Sequence, residues 1–181
     1  MGTIHKIKKK IGNYFLKKKL KDLSRNCSFA GFEASKNIGI VFNATKEQDF
    51  ELVKKYVKYL RAFGKKVKTI GYFDQKEIPG MVYSKVEHEY ISNKDLNWYL
   101  KPLSFFIDEF IEQPYDILID LNLDDDFALQ YISSLSKAKF KIGKFASDAD
   151  RFDMMIEMEQ GQNLKLFLKH VDHYLMQLKP K

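Results

Sequence analysis

Residues 37–73, NIGIVFNATKEQDFELVKKYVKYLRAFGKKVKTIGYF, decide the fold because a strand, a helix and a second strand follow one another there. The short apolar run at residues 37–42 is typical of a buried strand. Thr45 and Gln48 have the spacing of a helix capping box, and Gly64 is a natural helix end. The apolar face of the helix between them consists of Phe50, Val53, Val57 and Leu60. Such a unit joins two parallel strands by a right-handed crossover.

The rest of the domain continues this alternation. The patterns predict, in order, a strand at Val86–Ile91, an ordered loop at Asn93–Pro102, a helix at Ser104–Glu112, a strand at Tyr115–Leu121, a helix at about Asp125–Ser136, a strand at Lys139–Gly143, a loop at Ser147–Arg151, a strand at Met154–Met158 and a helix at Gln162–Leu178. Alternating strands and helices imply a sheet covered on both faces. We predict an α/β fold, a three-layer Rossmann-like domain with a mainly parallel sheet, preceded by a basic N-terminal helix.

The chain divides into a basic amphipathic helical arm at residues 1–25, a linker at 26–36 and the Rossmann-like domain at 37–181. The arm has two apolar stripes on nearly opposite sides, at Ile4, Ile7, Ile11 and Tyr14 and at Leu16, Leu20 and Leu23. Two interpretations remain open: two short helices hinged at Gly12, or one helix that contacts different surfaces with its two ends.

The positive charge of the protein is concentrated in the arm. Residues 1–25 contain nine bases and one acid, which give +8, whereas the whole chain carries +7, so the remainder sums to −1. No apolar run is long enough for a membrane span or a secretory signal. A single cysteine, Cys27, cannot form an internal disulfide. We therefore expect a cytoplasmic protein.

A dense cluster of cations attracts polyanions by releasing their counterions. The sequence predicts that this protein is not an enzyme and that it binds structured RNA or a ribosomal surface through the arm. Tyr14 and Phe15 would stack on bases. An anionic membrane is the alternative, because apolar and lysine faces on one helix are also the interfacial pattern. A third interpretation is that the apolar stripes dock on protein and the lysines are merely solvated. The predicted polyanion-binding residues are Lys6, Lys8, Lys9, Lys10, Lys17, Lys18, Lys19, Lys21 and Arg25 of the arm, with Lys54, Lys58 and Arg61 of the first domain helix.

A candidate ligand crevice follows the apolar strands. In a parallel sheet the carboxyl ends of the strands border the crevice where small ligands bind. Asn43 and Thr45 follow the first strand, and Asp120 and Asp124 lie at the end of the strand at 115–121. The other interpretation is that Asp124 or Asp125 caps the next helix. The loop NATKEQ lacks the glycines of a phosphate-binding loop. The carboxylates of Asp120, Asp124, Asp125 and Asp126 could hold Mg²⁺, and His170 and His173 are spaced as two metal ligands can be, but no cysteine or histidine cluster completes a site. We predict no catalytic residue, no metal site and no cofactor.

The only tryptophan lies in the predicted loop at Asn93–Pro102. Asn97, Trp98, Tyr99 and Lys101 could together form a platform for stacking or for peptide binding. The alternative is that Trp98 anchors the irregular loop on the core.

One stretch of the chain and the chain as a whole resemble known families. Tyr115–Phe145, YDILIDLNLDDDFALQYISSLSKAKFKIGKF, is similar to the N-terminal Rossmann-like half of heptosyltransferase-type glycosyltransferases, in which an Asp-Leu strand end precedes a helix and an Ile-Gly strand. The resemblance implies a Rossmann-like fold and an acceptor-type half without the second half that binds the nucleotide-sugar donor. The whole chain, including DLNWYLKP at Asp95–Pro102, also resembles a bacterial family of domains of unknown function, which implies no activity.

Overall fold

The computed structural model describes residues 3–80, 88–146, 151–159, 161 and 163–178. Within these residues the helices are α1 Thr3–Lys21, α2 Glu47–Ala62, α3 Phe105–Glu112, α4 Phe127–Leu135 and α5 Leu164–Gln177, and a short 3-10 helix spans Asn93–Asp95. The strands are β1 Asn37–Asn43, β2 Lys66–Phe73, β3 Glu89–Ser92, β4 Ile117–Leu121, β5 Phe140–Lys144 and β6 Met154–Ile156.

The six described strands form one sheet in the order β3-β2-β1-β4-β5-β6, and every neighbouring pair is parallel. The direction in which the chain adds strands reverses beside β1. Strands β2 and β3 are added on one side of β1, and β4, β5 and β6 on the other. The predicted three-layer Rossmann-like fold with an N-terminal helix is confirmed. The sheet also has the switch point, between β1 and β4, at which open α/β sheets bind ligands.

Each face of the sheet has its own helical layer. One core packs α2 and α5 against the sheet, with Ile38, Ile40 and Ile119 at its centre. The other core joins α1, α3 and α4, with Val41, Leu118 and Leu16 among its members. All nine residues of α4 are buried. A helix is buried on every side only when another element covers its outer face, and α1 contacts α4 there.

The segment between α1 and β1 runs along the amino-terminal edge of the sheet. The Ser28 N–H donates to the Lys139 carbonyl over 3.1 Å. Farther on, the buried Lys65 ammonium donates to the carbonyl oxygens of Phe32, Glu33 and Ser35 over 2.6, 3.0 and 2.8 Å. The segment predicted as a linker is therefore fixed to the domain by hydrogen bonds.

Several local predictions need correction. Helix α2 begins after the N-cap residue Lys46, which makes no side-chain capping bond, so the capping box at Thr45 and Gln48 was wrong. The Thr45 hydroxyl instead accepts a hydrogen bond from the Asp74 N–H. Strand β3 begins at Glu89, and residues 86–87 of the predicted strand lie outside the described residues. The same holds for residues 147–150 of the predicted loop and for residue 162 of the last helix.

Candidate functional site

Helix α1 is continuous through Gly12, so of the two open interpretations the single helix is the one observed. Its leucine side lies on the domain, where Leu16 is buried in the core with α4. Gly12 permits this close approach. A Cβ at position 12 would lie 2.6 Å from Phe127 Cζ and 2.6 Å from the Tyr99 carbonyl oxygen. The arm is therefore wedged between α4 and the loop that contains Tyr99.

Three of the predicted polyanion-binding cations face the domain. Lys9 Nζ donates to the Asp125 carbonyl over 2.9 Å and lies 3.4 Å from its carboxylate. Lys19 Nζ lies 5.7 Å from the centre of the Tyr131 ring, and the hydroxyl of that tyrosine raises the pKa of Lys19. Arg25 forms a bidentate ion pair with Asp153, with both distances 2.7 Å. These three cations contribute to docking rather than to an outward-facing charge.

Of the other six basic residues of the arm, five are exposed to solvent and Lys8 is half-buried. Within the described residues no ion pair involves Lys6, Lys8, Lys10, Lys17, Lys18 or Lys21. At 100° per residue, Lys6, Lys10, Lys17 and Lys21 fall within a sector of about 60° and form a row about 22 Å long. The arm is folded onto the domain, yet most of its charge remains directed at solvent.

The isoleucine stripe also faces away from the domain. Ile4 is 72% exposed, Ile7 is 53% exposed and Tyr14 is 69% exposed, although each is a large apolar or aromatic side chain. The two stripes of α1 therefore differ in exposure. The leucine stripe packs on the domain, and the isoleucine stripe is exposed to solvent beside the lysine row. We call this open side the outer face of α1; it comprises Ile4, Lys6, Ile7, Lys10, Tyr14, Lys17, Lys18 and Lys21.

The loop at residues 96–102 presents its tryptophan to solvent. Trp98 is 61% exposed, so the alternative that its ring anchors the loop on the core was wrong. Leu96 and Leu100 pack against the core instead. The Asn97 side-chain oxygen accepts hydrogen bonds from the N–H groups of Tyr99 and Lys101 over 3.1 and 2.9 Å. Lys101 is half-buried, with Nζ 6.0 Å from the Tyr131 ring centre.

The structure brings the arm and the tryptophan loop together, which the sequence did not predict. The ring centres of Tyr14 and Phe15 are 5.6 Å apart, and those of Phe15 and Tyr99 are 4.9 Å apart. The Trp98 ring follows at 5.2 Å from that of Tyr99. Four aromatic rings thus connect the outer face of α1 to the tip of the loop, and two distant sequence features form one surface.

The basic residues predicted on α2 lie elsewhere. Lys54 forms an ion pair with Glu51, and Arg61 donates to the Val67 carbonyl over 3.3 Å. Lys58 is exposed. Because α2 packs on the sheet face opposite to α1, these cations do not extend the outer face of α1.

The candidate crevice at the switch point is bridged by its own polar groups. Asn43 Nδ2 donates to the Asp126 carboxylate over 2.7 Å, and the Asn43 side-chain oxygen accepts from the Thr45 N–H over 2.8 Å. Across the same edge, Lys46 and Asp124 form an ion pair of 3.1 Å. Asp126 is the carboxylate that joins Asn43 of the first strand to the start of α4, and burial raises its pKa.

Asp120 is not at the surface of the crevice. It is buried beneath α4 and accepts a hydrogen bond from the Asn122 N–H over 2.8 Å. Burial raises its pKa to about 6. The neighbouring strand contributes the buried Lys141, which donates to the Ser134 carbonyl over 2.8 Å and whose pKa burial lowers to about 7. The periodicity of β5 did not single out Lys141, because a lysine in a strand is usually exposed.

The described residues contain no group of three or more histidine, cysteine or carboxylate side chains placed to hold a metal ion. The same residues include no helix with the length and apolarity needed to cross a bilayer.

Comparison with protein families matches residues 8–178 to the family model DUF6913, a family of unknown function. The chain belongs to this family. The DUF6913 match begins inside α1, so the family pattern includes most of the arm together with the α/β domain. No curated protein and no solved structure matches the chain. The similarity of residues 115–145 to heptosyltransferase-type glycosyltransferases therefore stays a prediction.

Proposed function

We propose that this protein is a peripheral membrane protein that attaches to an anionic lipid surface through the outer face of α1. The observation that carries the proposal is the exposure of Ile4, Ile7 and Tyr14 beside a row of lysines without acidic partners among the described residues. An interfacial helix combines apolar side chains that enter the bilayer with neighbouring lysines that meet the anionic headgroups. The anionic leaflet is the cytoplasmic one, which agrees with the expected cytoplasmic location.

Each feature contributes a comparable share of the binding free energy. A lysine near an anionic leaflet contributes about 1 kcal/mol, and this attraction weakens with salt. Complete burial of an exposed isoleucine contributes roughly 1.5–3 kcal/mol and does not depend on salt in that way. Lysines alone would give weak, salt-sensitive binding. The isoleucines supply the apolar contact that makes attachment to a bilayer favourable.

Structured RNA or a ribosomal surface is the second candidate partner. The lysine row could track phosphates, and the exposed rings of Tyr14 and Trp98 could stack on bases. Ile4 and Ile7 would gain little from RNA, however, because phosphates and sugars offer no apolar environment. A lipid partner would therefore make favourable contacts with more of the exposed side chains on the outer face of α1 than RNA would.

A small-ligand or glycosyltransferase-like enzyme using the crevice near Asn43 and Asp120 is a weaker proposal. The strand order favours a crevice between β1 and β4. Its polar groups, however, are already bonded to one another across that edge. We therefore place the function on α1.

Vesicle flotation tests the proposal. The intact protein should float with vesicles that contain phosphatidylserine and not with pure phosphatidylcholine vesicles, and added salt should weaken the binding. The Lys17→Glu/Lys21→Glu variant should lose flotation. Lys55→Glu/Lys58→Glu is the matched control, since both lysines are exposed on α2 and the change in net charge is the same. Deletion of residues 1–25 is a poor test, because it would uncover the buried helix α4.

The possible results separate the candidates clearly. Equal loss in both double variants would mean that net charge rather than the outer face of α1 drives binding, and the proposal would fail. Absence of flotation together with salt-sensitive sedimentation with ribosomes would favour the RNA candidate. Binding to neither partner would contradict both.

A further inference from the structure

The tip of the loop at residues 96–102 continues the outer face of α1. Trp98 is connected to Tyr14 by the chain of ring contacts through Tyr99 and Phe15. Two more exposed apolar side chains, Leu103 and Phe105, follow directly in the chain, and Phe105 is 78% exposed. Monomeric proteins seldom expose contiguous apolar patches without a binding partner, and the ring contacts make Tyr14, Phe15 and Trp98 part of one patch.

The loop has a fixed conformation that presents the tryptophan. Leu100 has φ of 68°, in the left-handed region that a leucine seldom occupies. The loop is held in that conformation by the hydrogen bonds to the Asn97 side chain and by the bridge between Leu96 and Pro102. Strained backbone persists only where the surrounding structure enforces it. Here the strained turn keeps Leu100 on the core and leaves the indole outside.

We infer that the Trp98 loop is a second lipid anchor, which inserts its indole at the headgroup level while α1 lies in the plane of the same surface. This inference rests on the proposed function. Tryptophan is enriched at membrane interfaces because its ring is apolar and its N–H is polar. The lysine row beside the rings provides charge complementarity to an anionic leaflet. The exposed aliphatic side chains Ile4 and Ile7 favour lipid over a nucleic acid as the occupant of this surface.

Trp98 is the only tryptophan in the chain, so its fluorescence reports on this loop without any labelling. On addition of vesicles that contain phosphatidylserine, the emission of the intact protein should shift to the blue and become protected from acrylamide. Vesicles of phosphatidylcholine alone should leave both unchanged. Lipids brominated in the acyl chains should quench the emission, because quenching requires the indole to lie at the membrane.

A substitution measures how much the anchor contributes. Trp98→Ala should weaken partitioning into phosphatidylserine vesicles by about tenfold, since the loss of a buried apolar side chain is worth at least that factor. Phe63→Ala is the matched control: Phe63 is an exposed aromatic residue that follows α2, and its removal should leave partitioning unchanged. Both changed residues are exposed, so thermal unfolding should show that each variant remains folded.

The results distinguish failure of the anchor from failure of the proposed function. Flotation that depends on Lys17 and Lys21 without any change in Trp98 emission would overturn the anchor and leave the proposed function standing. No flotation and no change in emission would overturn both. A change in emission on addition of single-stranded RNA but not of vesicles would also overturn both, and would make the ring chain a base-stacking surface.

Discussion

Replacing Gly12 by alanine tests whether α1 is docked on the domain as the structure shows. In a solvated helix this change is stabilising by about 1 kcal/mol, because alanine favours the helix and glycine does not. In the docked helix the new methyl group would lie 2.6 Å from the Phe127 ring on one side and 2.6 Å from the Tyr99 carbonyl on the other. Ordinary van der Waals contact is about 3.5–4.0 Å, so both neighbours would have to move.

The two effects have opposite signs, and the structure decides which is larger. Overpacking of a closed site costs about 1–3 kcal/mol, and here one neighbour is backbone and the other is a buried ring, which places the cost in the upper half of that range. After the gain in helix propensity, Gly12→Ala should lower the free energy of unfolding by about 1–2 kcal/mol.

Urea unfolding followed by circular dichroism gives this free energy. Gly80→Ala is the matched control, because a Cβ at that position meets no atom of the described residues within 4 Å. We expect its free energy of unfolding to stay within about 0.5 kcal/mol of the original. If Gly12→Ala instead stabilised the protein by about 1 kcal/mol, α1 would be a solvated arm and the docking described above would be wrong.

Three further predictions concern the domain. Asp120→Asn should stabilise the protein by roughly 3 kcal/mol at pH 7.5 and by little at pH 4. Burial raises the carboxyl pKa from 3.8 to about 6, so the folded protein loses stability as the pH rises between those values, whereas asparagine stays neutral. Urea titrations at both pH values check this, and equal effects at the two pH values would contradict it. Lys65→Met should cost about 2–3 kcal/mol in the same assay because three carbonyls lose their donor, and an unchanged midpoint would show that water replaces it. Gly143→Ala should lower the melting temperature by several degrees, because its Cβ would lie 2.3 Å from the Phe152 ring; no change would mean that this ring moves freely.

The secondary structure was predictable because local patterns specify it. Apolar runs and helical periodicity located all six strands and all five helices of the described chain, with errors of a few residues at their ends. The start of α2 was misplaced because Thr45 uses its hydroxyl for the Asp74 N–H, a residue beyond the end of β2. A sequence pattern for capping cannot anticipate a competing partner from another element.

The candidate sites were only partly predictable. Sequence correctly identified a concentration of charge on the arm, since charge is a property of residues. It did not show that Lys9 and Arg25 face the domain, or that the cations of α2 lie on the opposite layer from α1. It also placed Asp120 in the crevice, although the carboxylate is buried beneath α4. In each case the sequence specified a residue type, and the packing of the helices decided whether its side chain faces solvent or the protein.

By itself the sequence determined the α/β fold class, the parallel sheet and the two apolar stripes of α1, because these depend on periodicities within single elements. Only the tertiary structure decided which stripe is buried, since that depends on where α4 and the loop at residues 96–102 leave room for the close approach at Gly12. The same packing brought Trp98 beside Tyr14, which lies 84 positions earlier in the chain. Contacts between residues so far apart are formed by the burial of whole helix faces, and no local pattern encodes them.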